Sequence, residues 1–166
     1  MAQNLATMST TLKIVTSFLR EVHTPGMTAE GARRDLISAL QRVADVSPIR
    51  ARTIDDIVRQ ATPYLRDTIE YDPDAVAKQW KDRDATKTLL SATRDRLSAA
   101  ADWSPAPLEE ELRKLAETLG TTGGKIFQPL RVALTGLTVS PGIFDVLEML
   151  GRERSLARIE AAIRQL

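Results

Sequence analysis

Apolar residues along this chain recur at spacings of three and four rather than in alternation, which asks for helices from end to end. The clearest case runs from Pro107 to Leu119. There Leu108, Leu112, Leu115 and Leu119 follow at four, three and four residues and share one helix face, with Glu109, Glu110, Arg113 and Lys114 elsewhere. From Ile143 to Leu150 the set Ile143, Phe144, Val146, Leu147, Met149 and Leu150 is too wide for a surface helix and marks a central packing element. Leu156, Ile159, Ile163 and Leu166 give a last amphipathic helix. In the first half, Leu12 to Val22, Ala29 to Val43 and Thr53 to Leu65 read as helices. The third has Thr53 as its cap and Asp55 and Asp56 at the positive end of its dipole.

The punctuation agrees with the periodicity. Asp72-Pro73 ahead of AVAKQW supplies an N-cap followed by proline at the first helical position, where its missing N–H costs nothing. Ser104-Pro105 and Ser140-Pro141 repeat the device. Gly120, Gly136 and Gly151 each follow an apolar segment, as expected where a helix ends and the chain turns through positive φ. The expected fold is all-α, a two-lobed bundle of seven or eight short helices. Periodicity lapses at DTIEYDP, so the boundary is placed near Asp67 to Tyr71, with an N-terminal helical lobe over 1–70 and a C-terminal one over 71–166. No period of about 20 to 50 residues recurs with matched motifs, which disfavours a solenoid.

Composition narrows the chemistry. The chain of 166 residues is 43% hydrophobic but only 4% aromatic, so its core is aliphatic. The absence of cysteine excludes disulfides and thiolate metal sites and agrees with a cytoplasmic protein. Nothing approaches a membrane-spanning apolar run, and the start MAQNLATMSTTLKIVTSF has Thr and Ser in place of a compact apolar export segment. A net charge of +1 means that any nucleic-acid site is a local arrangement. Gly31 to Arg66 holds seven arginines against four aspartates, and Gly123 to Leu166 six basic residues against four acidic, excesses that solvated helix faces also produce.

His23 is the single histidine, which leaves no Ser-His-Asp or Cys-His arrangement and rules out an H-E-x-x-H zinc site. Gly123-Gly124-Lys125 lacks the spacing of a phosphate loop and follows a helix rather than a strand, so it reads as a helix connector. Asp55-Asp56 and Glu109-Glu110-Glu111 sit in first turns of helices, where carboxylates serve the dipole. No catalytic residue, cofactor site or metal site is expected from these residues.

The stretch GKIFQPLRVALTGLTVSPGIFDVLEMLGRERSLARIEAAIRQL resembles the C-terminal end of bacterial-type, class I glutamyl-tRNA synthetases, through QPLRVALTG, the SPG-hydrophobic-F step and the MLGRER helix end. Upstream, RARTIDDI, EYDPDAVAK and DWSPAPLEEELRKLAETLG are similar to further segments of that family, in its order, across residues 36–166. Residues 1–35 match none of these motifs. The family's catalytic signatures have no counterpart: H-x-G-H needs two histidines, and no K-M-S-K-S-like loop is present. The resemblance therefore implies a chain that is not catalytic on its own.

What the resemblance implies is a helical module that grips the anticodon loop of tRNA(Glu) in support of a glutamyl-tRNA synthetase catalytic domain outside this sequence. DNA and membranes are not expected partners. Arg131 in QPLR matches a family arginine at the anticodon, and Ser140, Pro141 and Ile143 match positions at the following helix start that touch anticodon bases. Arg113, eighteen residues before Arg131, matches a second anticodon arginine, and Arg50 in RART matches the arginine of the first lobe that inspects the third base. Physically, bases of a loop are read on exposed edges by arginine and backbone groups while cations hold nearby phosphates. Leu137 after Gly136 stands where the family often has a basic residue. The alternative reading is a paralogue that keeps the fold as an interaction or regulatory module without tRNA affinity.

Overall fold

The computed structural model describes residues 62–64, 66 and 68–166. The chain divides into two compact units, Met1–Arg66 and Asp67–Leu166. The helices expected at Leu12 to Val22, Ala29 to Val43 and most of Thr53 to Leu65, and with them Arg50, lie outside the described residues. Of the first unit, residues 62–64 form a helical turn in which the Arg66 N–H donates to the Thr62 carbonyl at 3.2 Å. The second unit is helical, with α1 Pro73–Gln79, α2 Arg83–Ser98, α3 Pro105–Thr118, α4 Gly123–Thr135 and α5 Ile143–Gln165. No strand occurs among the described residues, and no helix there is long and apolar enough to cross a membrane.

Helix α1 starts as its sequence dictates. Asp72 Oδ1 accepts from the N–H groups of Asp74 at 2.9 Å and Ala75 at 3.4 Å, with Pro73 in the first turn. Asp82 caps α2 in the same way, accepting from the Ala85 N–H at 3.0 Å. Helix α2 buries Thr86, Leu90, Thr93 and Leu97, a stripe at spacings of four, three and four. In α3 the buried face is Leu108, Leu112, Leu115 and Ala116. Leu119, expected to continue that face, is 43% exposed. It lies past the last helical residue, where Gly120 at φ 60° turns the chain, and Ala116 fills the core position one turn earlier.

Helix α4 is the hub and packs against each of the other four. Ile126, Pro129, Leu130, Val132, Ala133, Leu134 and Thr135 are all buried, so the central role expected of Ile143 to Leu150 is shared with α4. Gly123-Gly124-Lys125 is the first turn of this helix rather than a connector. At the other end Gly136 adopts φ 74° and its N–H donates to the Val132 carbonyl at 2.8 Å. A Cβ at Gly136 would collide with the Glu70 carbonyl oxygen. The Asp72 N–H donates to the Gly136 carbonyl at 2.9 Å, which seats the EYDP segment on the end of α4. Trp80, 4% exposed, adds an indole N–H to the Pro129 carbonyl at 3.3 Å and stacks at a tilt on Tyr71, ring centroids 5.1 Å apart.

Helix α5 is two helical segments meeting at Gly151, whose φ of 74° and ψ of 168° break the run as the sequence expects. The first segment buries Ile143, Val146, Leu147 and Leu150. The second buries Ser155, Arg158, Ile159, Ala162 and Ile163, while Leu156 and Leu166, expected on the core stripe, are only half-buried. The difference has a partner behind it: Arg158 reaches across and donates to the Leu134 carbonyl of α4 at 2.6 Å, supplying a cation to a helix end with unbonded carbonyls. Burial raises the Tyr71 hydroxyl pKa, and the nearby Arg158 charge partly opposes that rise. Arg152, just past the break, lies 5.0 Å over the Trp103 ring and donates to the carbonyls of Ser98, at 3.0 Å, and Ala100. The Trp103 N–H donates in turn to the Leu147 carbonyl at 2.8 Å.

Candidate nucleic-acid interface

The candidate residues gather where the second half of α4 passes the entrance to α5. Pro129 has no N–H to give the Lys125 carbonyl one turn earlier in α4, and its own carbonyl accepts from the indole of the buried Trp80. Two residues later Arg131 leaves α4 half-buried. Its Nε–H donates to the Ser140 hydroxyl at 2.8 Å, Nη2 to the Pro141 carbonyl at 3.5 Å, and Nη1 to the Gln128 side-chain carbonyl at 3.4 Å. The Ser140 hydroxyl donates in turn to the Pro141 carbonyl at 2.9 Å. Arg131, Ser140 and Pro141, all assigned through the same resemblance, therefore form one hydrogen-bonded group.

That group corrects the expected cap. Ser140-Pro141 does not start the helix; α5 begins at Ile143 with Gly142 as its N-cap and no capping side chain. The Ser140 hydroxyl is engaged with Arg131 and Pro141, so it serves the loop and leaves the first turn of α5 to other acceptors. Ser104 behaves similarly. It holds the N-cap position of α3, but its hydroxyl donates to Asp102 at 2.8 Å rather than capping.

Ile143, the first residue of α5, is 4% exposed and belongs to the core beneath that helix's first turn. Asp145 lies in that same turn, and burial raises its carboxyl above its ordinary value. Thr135 shapes the other side of the loop, its hydroxyl donating to the Arg131 carbonyl at 2.8 Å and accepting from the Leu137 N–H at 3.2 Å. Arg113 is held elsewhere. It stands exposed on α3 with Nε and Nη2 on Glu109 at 2.8 and 2.5 Å, an ion pair within one helix turn.

Sequence reasoning missed Gln128, which accepts from Arg131 and borders a neighbouring cleft. Its signal was available: it precedes Arg131 by three residues in QPLR, the spacing that places two side chains side by side on a helix. No group of three or more metal-ligating side chains occurs among the described residues.

Comparison with known proteins gives this geometry its context. A family model described as the anticodon binding domain matches residues 12–163, which takes in residues 12–35 that carry none of the quoted motifs. The glutamate–tRNA ligase of Roseiflexus castenholzii is 47% identical over 100 residues, covering 60% of this chain and 20% of that protein. Glutamate–tRNA ligase 2 of Rhizorhabdus wittichii is 42% identical over 146 residues, covering 86% of this chain and 30% of that protein. Among solved structures, a glutamate tRNA ligase from Elizabethkingia meningosepticum in complex with its amino acid superposes with a TM-score of 0.66 at 24% identity, over 99% of this chain and 31% of that one. The glutamate-tRNA synthetase of Elizabethkingia anophelis gives 0.62 over 93% of this chain and 28% of that one. The chain thus spans about a fifth to a third of the length of these relatives. With its fold, its motifs and the family model in agreement, the chain belongs to the anticodon-binding domain family of glutamate–tRNA ligases.

Proposed function

We propose that this chain binds the anticodon loop of tRNA(Glu), presenting that tRNA to a glutamyl-tRNA synthetase catalytic domain outside the sequence given, in the cytoplasm. The observation that carries the reading is the Arg131, Ser140 and Pro141 group, in which three residues assigned to anticodon contact by family resemblance meet at one loop. The group holds a guanidinium next to the first turn of α5, whose leading N–H groups have no acceptor within the helix. A planar cation beside unbonded N–H groups suits base edges and phosphates of an unstacked loop. Roles for Ile143, Arg113 and Arg50 belong to the same reading.

Leu137 favours a second reading, a family member without tRNA affinity, since it removes a cation next to the site. One experiment separates the two: titration of the full chain with total cellular tRNA, then sequencing of what is retained. Enrichment of tRNA(Glu) supports anticodon binding. Failure to retain any tRNA at low salt supports the second reading.

A further inference from the structure

Next to Arg131, on the other side of Gln128, an open cleft of about 820 Å³ runs between the start of α2 and the α3–α4 loop. Its lining is mixed. Leu89 and Leu119 give it apolar surface, and Leu119 is one of two large hydrophobic side chains exposed among the described residues. Gln79 and Gln128 bring side-chain amides, which donate and accept, and the exposed Lys81 and Lys125 stand at its edges with ammonium groups. Asp82 is also present, its carboxylate capping α2, and against Lys81 and Lys125 it leaves the charged side chains of the lining with a net positive charge.

Apolar surface, amide edges and two cations are the complement of single-stranded nucleotides, whose base faces pack on apolar groups, whose base edges pair with amides and whose phosphates take ammonium. Gln128 makes the cleft continuous with the Arg131 group, because it borders the cleft and accepts from Arg131 at 3.4 Å. We infer that this cleft is a second RNA contact, holding nucleotides that flank those read at Arg131. The inference rests on the anticodon-binding reading and extends it by one subsite that contributes affinity more than sequence preference.

The test uses the full chain, purified tRNA(Glu) and a non-cognate tRNA, titrated at several salt concentrations. Loss of two phosphate contacts in Lys81→Ala/Lys125→Ala lowers the slope of log K against log salt by about 1.4, at about 0.7 per single-stranded phosphate. Both tRNAs are affected alike, so cognate preference is kept. Leu119→Glu, which adds a carboxylate to the cleft, weakens binding at low salt more than Leu119→Gln does. All three positions are exposed, and unchanged thermal melts verify that folding is intact. An unchanged slope in the lysine variant, with Arg131→Ala still weakening binding, overturns the cleft inference and leaves the anticodon reading standing; the cleft then serves a protein partner or none. Absence of tRNA binding by the unaltered chain overturns both.

Discussion

The Arg131 Nε–H donates to the Ser140 hydroxyl at 2.8 Å, so the guanidinium assigned to RNA contact is held in place before any ligand arrives. Holding it there lowers the entropy that binding would otherwise cost. Ser140→Ala removes that acceptor while leaving Arg131 its other partners. Stability should fall by about 1 kcal/mol, the usual loss for one hydrogen bond. Binding of tRNA(Glu) should weaken as the side chain gains freedom. Ser140→Thr retains the hydroxyl and should restore most of both, as read by denaturant titration and filter binding.

Gly136 is required by geometry rather than by chemistry. Its φ of 74° disfavours any L side chain, and the Glu70 carbonyl occupies the space of a Cβ. Gly136→Ala should therefore cost at least about 2 kcal/mol, the left-handed penalty with a backbone collision added. A denaturation midpoint equal to that of the unaltered chain would show that the EYDP segment does not rest on α4 as described.

Trp80 secures α4 at its internal proline. Trp80→Phe keeps most of the ring but loses the 3.3 Å bond to the Pro129 carbonyl, and should cost about 1 kcal/mol. Trp80→Ala also leaves a cavity and should cost about 3 to 5 kcal/mol. Similar losses from the two variants would mean that the hydrogen bond, not the buried ring, holds this corner.

Asp145 gives the stability a pH dependence of defined sign. Burial raises its carboxyl pKa in the folded state, which favours the protonated form. Its contribution is then full below the ordinary carboxylate value and is lost as pH rises through the raised one. Asp145→Asn should accordingly be more stable than the unaltered chain at neutral pH and equal to it in acid. The gain should be small, because the group is only partly buried and the α5 dipole favours the carboxylate. Thermal melts of both proteins across the carboxylate range check the sign.

Much of the second unit is legible in its sequence because its signals are local. Asp72-Pro73 caps α1, Gly120, Gly136 and Gly151 all take positive φ, and the α3 leucines form a buried stripe. Signals that depend on a distant partner are not legible. Helix α2 escapes periodic reading since two of its four buried positions are the threonines Thr86 and Thr93. No local signal marks Arg158 as buried, since its partner is the Leu134 carbonyl 24 residues away.

The site divides along the same line. Family motifs locate Arg131, Ser140 and Pro141, but only the fold shows that they bond one another and that Gln128 joins them. Other motifs prove to be packing partners. DWSP meets MLGRER through Trp103 and Arg152, and EYDP meets QPLRVALTG through Asp72 and Gly136.

The central claim, that this chain reads an anticodon loop through Arg131, is tested most directly by comparing Arg131→Ala with the unaltered chain on tRNA(Glu) and a non-cognate tRNA. Loss of a bidentate base contact should weaken tRNA(Glu) binding by about 1 to 3 kcal/mol and leave non-cognate binding nearly unchanged. The helical circular-dichroism signal should persist, and Arg131→Lys should recover only part of the affinity, since it restores the charge without the planar fork. Equal affinity of Arg131→Ala and the unaltered chain for tRNA(Glu) would contradict the account.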